Sequence, residues 1–128
     1  MNFIIAGLLA SFVAWLLNRY VFLKVGQKGV IFLGPTTEEI LKTGLAVIFN
    51  TSIILTHIVF GLIEAVVDYK NTKKSSGAIV SLVSHVFLGI ITYGLFISLG
   101  SIYIALLIAV IVHISWNKFV MGIVDTKH

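Results

Sequence analysis

The chain has 128 residues, 59% of them hydrophobic and 11% charged, with nine Lys and Arg against five Asp and Glu for a formal charge of +4. Its length suits one domain, residues 1–128, and its apolar excess excludes an ordinary water-soluble globule. The lack of cysteine excludes a disulfide framework or thiolate site. The positive charge fits membrane topology better than nucleic acid, which is not expected as a partner.

The first apolar run, Asn2 to Leu23, is too long for a signal-peptide core and has no basic segment before it. It predicts a helix crossing a bilayer, which needs about 20 apolar residues. The basic loop "KVGQKG" follows, then "VIFLG", read as irregular backbone dipping into the membrane before Pro35. A second, short helix is predicted from Thr36 to Phe49, with Thr36 and Glu39 fitting a capping box at its start. "NTS" at residues 50–52 predicts a break, and a third helix ends near Tyr69. After the polar loop "KNTKKSSG", a fourth helix is predicted from Ala78 to Ser98, a turn at Gly100, and a fifth helix from Ile102 to Val124. The expected architecture is an all-α integral membrane protein, a bundle of about five transmembrane helices.

The lysines set the orientation. Arg19, Lys24, Lys28, Lys70, Lys73, Lys74, Lys118 and Lys127 fall toward one side of such a bundle, and no Lys or Arg lies near the other. This predicts an outside N-terminus and a cytoplasmic C-terminus. The lysine-rich, arginine-poor composition suits an AT-rich microbial genome, hence a prokaryotic cell membrane.

Ionisable residues inside membrane helices are costly and tend to be functional. Glu38, Glu64, His85 and His113 each lie about 12 to 14 residues from an outside turn, which puts all four at one depth, roughly 20 Å in. Glu64, His85 and His113 each belong to a stripe of small and polar residues spaced by three or four: His57, Gly61, Glu64 and Asp68; Ser81, His85, Gly89 and Thr92; Ala105, Ala109, His113 and Asn117. Such stripes face neighbouring helices. The first helix has the stripe Gly7, Ser11, Ala14 and Asn18 without an ionisable group, and reads as a structural wall. His57 reads as a hydrogen-bonded structural histidine. Lys42, four residues after Glu38, is placed to pair with it, either neutralising that carboxylate or acting in the site by positioning it or polarising a substrate carbonyl. Glu64, His85 and His113 form a sufficient ligand set for catalytic zinc, with a neighbouring glutamate as general base. The competing reading is a buried polar network that specifies helix packing.

In chain order, "EEILK" (Glu38, Glu39, Lys42), "FGLIE" (Phe60, Glu64), "HVFLG" (His85, Gly89) and "HISWN" (His113, Asn117) occur one per helix. This set resembles the PrsW-like branch of the membrane metalloprotease superfamily that includes CAAX prenyl endopeptidases and bacteriocin-processing Abi proteins. Lys42 and Glu64 stand where the CAAX branch usually has arginine and histidine. The resemblance implies an intramembrane metal-dependent endopeptidase acting on a membrane-associated peptide or protein. Glu38 and Glu39 would activate water, with Lys42 beside them. Glu64, His85 and His113 would hold one divalent metal, expected to be Zn2+, and Asn117 would stabilise the oxyanion. Members of the superfamily typically have additional helices, which a homo-oligomer could supply here. The rival expectations are a small proton- or ion-coupled transporter or channel, and a non-catalytic immunity protein.

Overall fold

The stretch expected to hold two helices and an irregular loop forms one helical element, α1 (Asn2–Ile48), with non-helical backbone at a single residue, Gly26 (φ 74°, ψ −165°). A straight helix of that length would run about 70 Å, more than twice the hydrocarbon core. Instead, Asn2 Nδ2 donates to the Phe49 carbonyl (3.3 Å) and Asn18 Nδ2 to Glu38 Oε1 (2.8 Å), which requires the chain to double back at Gly26. That backbone conformation is essentially open to glycine alone. No atom lies within 4 Å of where a Cβ would stand, so a substitution costs backbone strain and no clash. Gly26→Val is therefore expected to destabilise the fold by about 1–3 kcal/mol. Thermal unfolding in detergent measures this, and an unchanged midpoint would show that the turn tolerates a side chain.

The computed structural model describes residues 1–125; Lys127 and the end of the expected tail lie outside them. After α1 come α2 (Ile53–Thr72), α3 (Ser75–Leu99) and α4 (Ile102–Asp125), with no strand among the described residues. The expected bundle of about five transmembrane helices is thus corrected to four helices among the described residues. Three of them, α1, α3 and α4, are long and apolar enough to cross a membrane. The difference arises because "KVGQKG" contributes one non-helical residue, and "VIFLG" is helical. α2 carries Glu64, Asp68 and Lys70, which interrupt its apolar run.

The capping box at Thr36 is also overturned. Pro35 sits inside α1, where it removes one backbone donor. The adjacent threonines turn their hydroxyls back onto the preceding turn, Thr36 Oγ1 to the Phe32 carbonyl (2.8 Å) and Thr37 Oγ1 to those of Leu33 (3.0 Å) and Gly34 (2.9 Å). Glu39 is freed from any capping role and is fully buried. The polar loop expected at "KNTKKSSG" narrows to Lys73 and Lys74, since α2 runs on to Thr72 and α3 begins at Ser75; the breaks after residue 49 and at Gly100 fall where the sequence places them. Ser52 Oγ caps α2 by accepting from the Leu55 amide (3.2 Å), and Gly100 ends α3 at φ 65°.

α2 packs against both α1 and α3, and α4 against α3 and α1. The predicted stripes are the packed faces: Gly7, Ala14, His57, Gly61, Ser81, His85, Gly89, Thr92, Ala105, Ala109 and His113 are all buried. Helix approach is closest at glycines. A Cβ on Gly61 would lie 2.9 Å from that of His85, and one on Gly89 2.8 Å from that of His57. The bundle is inverted relative to a soluble protein. Glu38, Glu39, Lys42, His57, His85 and His113 are buried, while Phe12, Leu16, Phe22, Ile97 and Leu107 are exposed. Hydrocarbon around the bundle favours that distribution and water does not.

Candidate functional site

The doubling-back of α1 puts Glu38, Glu39 and Lys42 of its second arm opposite His85 of α3 and His113 of α4, with Glu64 of α2 closing the ring. Glu39 is the hub. Its Oε1 accepts from Lys42 Nζ (2.6 Å) and from His113 Nδ1 (2.8 Å). Lys42, fully buried, also reaches His85 Nδ1 at 2.9 Å and lies 4.7 Å from the Phe60 ring centroid. The expected pairing of Lys42 with Glu38 is therefore replaced by pairing with Glu39, three residues away.

Donor arithmetic fixes both histidines. An ammonium only donates, so His85 Nδ1 accepts from Lys42, and Nε2 carries the proton that faces Glu64 Oε2. Ser81 Oγ donates to the same carboxylate oxygen at 2.9 Å. His113 donates from Nδ1 to Glu39, which leaves its Nε2 unprotonated, 3.8 Å from Glu38 Oε2. The two imidazoles meet edge to face with centroids 5.3 Å apart.

Glu38, His85 and His113 each offer a ligand atom within 4.8 Å of the other two. His113 suits a metal as it stands, because a carboxylate on Nδ1 is the usual orienting partner of a metal-bound imidazole. His85 suits it once its Nε2 proton is displaced, as ligation by imidazole requires. The sequence groups Glu64 with the two histidines and gives Glu38 the water; in the structure Glu64 contacts His85, and Glu38 completes the close trio. Asn117 lies one turn beyond His113, half-buried, on the wall of a cleft that Glu38, Glu64 and His85 also line. His57 is fully buried beside Thr43 Oγ1 (3.4 Å) and lines neither cleft, consistent with a structural role.

Two clefts reach the cluster, and both are lined by Glu38, Glu64 and Asp68. One, of about 460 Å³, lies between the first arm of α1 and α2, among Leu8, Phe12, Trp15, Ile63 and Val67. The other, of about 680 Å³, lies between α3 and α4, among Ser76, Ser81, Trp116 and Asn117.

Asn18 is the residue that sequence reasoning missed. It stands on the stripe expected to be a structural wall, yet its side chain donates to Glu38. A signal was present: Asn18 is 16 positions from Asn2, about 24 Å along the helix, close to the depth of the ionisable layer.

Fold and pocket together define a small helical bundle, apolar outside, around a buried cluster of carboxylates, histidines and one lysine. No family model, curated protein or solved structure matches the chain.

Proposed function

We propose that the protein is an intramembrane, metal-dependent peptide hydrolase. The observation that carries this reading is the buried trio of Glu38, His85 and His113, with Glu64 beside it, at the meeting point of two clefts. The resemblance to PrsW-like proteases supports it, since the four ordered motifs converge on this one pocket. Glu38, His85 and His113 would hold a single divalent ion, zinc being the metal that two imidazoles and a carboxylate suit best. Such an ion, when bound, supplies a Lewis acid and an activated water. Glu39 holds His113 in its ligating tautomer. Glu64, lining both clefts, would take the proton from the attacking water and pass it to the leaving amine as the peptide C–N bond breaks, and Asn117 would offer its amide to the developing oxyanion. The lysine asymmetry supports a prokaryotic cell membrane with the N-terminus outside, the C-terminus cytoplasmic and the pocket in the cytoplasmic half.

Elemental analysis of purified protein tests the reading, together with chelator-sensitive cleavage of a membrane-inserted peptide. About one ion per chain is expected in the wild type, and its loss in His85→Ala and His113→Ala. A metal-free wild type whose behaviour neither substitution alters would sink the proposal.

A proton-coupled transporter is the second reading. It is favoured by the unbroken chain of polar contacts from Ser81 through Glu64, His85, Lys42 and Glu39 to His113. It predicts proton flux in liposomes that chelators leave unchanged and that Glu64→Gln abolishes.

A further inference from the structure

Glu38, Glu64 and Asp68 are the residues that the two clefts have in common. With Glu39, next to Glu38, four of the chain's five acidic residues gather at one place. They face one ammonium, that of Lys42, which is paired with Glu39. Among the described residues no lysine or arginine pairs with Glu38, Glu64 or Asp68. Carboxylates gathered in a low-dielectric interior call for cations or protons to offset them. Three of the four have a role at the metal site, as ligand, base and partner of His113. Asp68 has none.

Asp68 stands between the surface and that site. It lies one turn beyond Glu64 on the same face of α2 and is half-buried, where Glu38 is buried. Counted back from the turn at Lys73 and Lys74, Asp68 is about 8 Å deep and Glu64 about 14 Å. The cleft between α3 and α4 begins at the same turn, with Ser76 and Gly77, both exposed, at its mouth. Further in, its wall offers the hydroxyls of Ser84, half-buried, and Ser81, buried, before His85. Oxygen ligands at successive depths suit a divalent cation, which sheds its hydration water in exchange for them. The cleft between the first arm of α1 and α2 is walled instead by Leu8, Phe12 and Trp15. The polar mouth has one obstacle. Lys70, Lys73 and Lys74 are exposed around it and repel a cation. Asp68 supplies the opposite charge just inside.

We propose, resting on the metal reading of the trio, that Asp68 is a transit ligand for the divalent cation. The ion enters between α3 and α4, is held first by the Asp68 carboxylate, and passes by Glu64 to Glu38, His85 and His113. Asp68 is then no part of the finished metal site. It concentrates the ion at a mouth that lysines guard, and it lies on the path out as well as in. Such a ligand changes rates and leaves the equilibrium alone. Removing it slows entry and departure alike, whereas removing a resident ligand speeds departure.

The test follows cobalt(II) alone, whose visible absorbance changes on ligation, as it enters the full chain stripped of metal in detergent. Asp68→Asn is expected to slow uptake about tenfold, within the range by which focused charge raises association rates, to slow release into excess chelator by a similar factor, and to leave the dissociation constant within about twofold. Asp68→Glu is expected to restore most of both rates. Unchanged uptake overturns the proposal. So does slower uptake with unchanged or faster release, which would place Asp68 on the bound ion or acting on it through space. Should Asp68→Asn not fold, the mouth is tested directly. The chain has no cysteine, so Ser76→Cys, at an exposed position, gives a single thiol. A bulky cationic thiol reagent there is expected to slow uptake, and the same reagent on Leu8→Cys in the other cleft is not. Any other pattern overturns the route. Cobalt uptake indifferent to Asp68→Asn removes this inference and spares the hydrolase. Asp68-dependent uptake by a protein that cleaves no peptide does the reverse, and a wild type that takes up no cobalt removes both.

Discussion

Glu64→Gln is expected to retain the metal and lose turnover, whereas Glu38→Gln is expected to lose both. The pair is sensitive because the two carboxylates occupy similar positions by depth and differ only in what surrounds them. Asn18 holds Glu38 by Oε1, which leaves Oε2 facing the free nitrogen of His113 at 3.8 Å. Converting that oxygen to an amide removes the anionic ligand of the trio. Glu64 is held by Ser81 and His85 on one oxygen and lines both clefts, where water and a scissile carbonyl would meet. Its amide keeps the shape and loses the ability to take a proton, a change worth about 10²–10⁴-fold in rate. Metal content measured beside cleavage separates the two. If Glu64→Gln is the variant that empties the site and Glu38→Gln keeps its ion, Glu64 belongs on the metal and Glu38 on the water.

Most of this pocket is legible in the sequence because membrane helices are regular. At 1.5 Å per residue, distance from a turn becomes depth, and the counts for Glu38, Glu64, His85 and His113 agree. Spacing by three and four becomes facing, which is why the stripes through Gly61, Gly89 and Ala109 coincide with the buried faces. What stays hidden is azimuth to within one residue and the choice among equivalent partners. Glu38 and Glu39 are neighbours in sequence, and Lys42 can reach either. The i to i+4 preference chose Glu38, and the fold chose Glu39, because His85 and His113 approach from that side. The same limit explains the capping box. Pro35 and the threonines carry the signature of a helix start, yet the helix runs on through the proline, with the Thr36 and Thr37 hydroxyls bonded to carbonyls of the preceding turn. A stretch such as "VIFLG" is compatible with loop or helix until the partner arm is present. Asn18 escaped notice because a neutral amide carries no charge to flag it.

Lys42→Met is expected to be the most destabilising single change in the chain, at about 3–5 kcal/mol. Lys42 and Glu39 are both fully buried, 2.6 Å apart, and no other lysine or arginine among the described residues bonds to the cluster. Removing the ammonium strands the Glu39 carboxylate in a low-dielectric interior with only His113 Nδ1 donating to it. The loss should therefore be conditional on Glu39. In the Glu39→Gln/Lys42→Met double variant no charge is stranded, and the glutamine carbonyl can still accept from His113 Nδ1. Most of the stability is expected to return, a coupling that unfolding measurements on the four proteins of the cycle would quantify. An additive double variant would show that the pair is not balanced against itself. The cycle also bears on the chemistry. Lys42 is the group that forces His85 to carry its proton on Nε2, the nitrogen that must be bare to hold an ion. With Lys42 gone, Nδ1 can carry that proton instead, so the double variant should bind zinc at least as tightly as the Glu39→Gln protein, which lacks the same His113 partner. Weaker binding than in Glu39→Gln would mean that Lys42 orients His85 for ligation, and that its role extends beyond balancing the charge of Glu39.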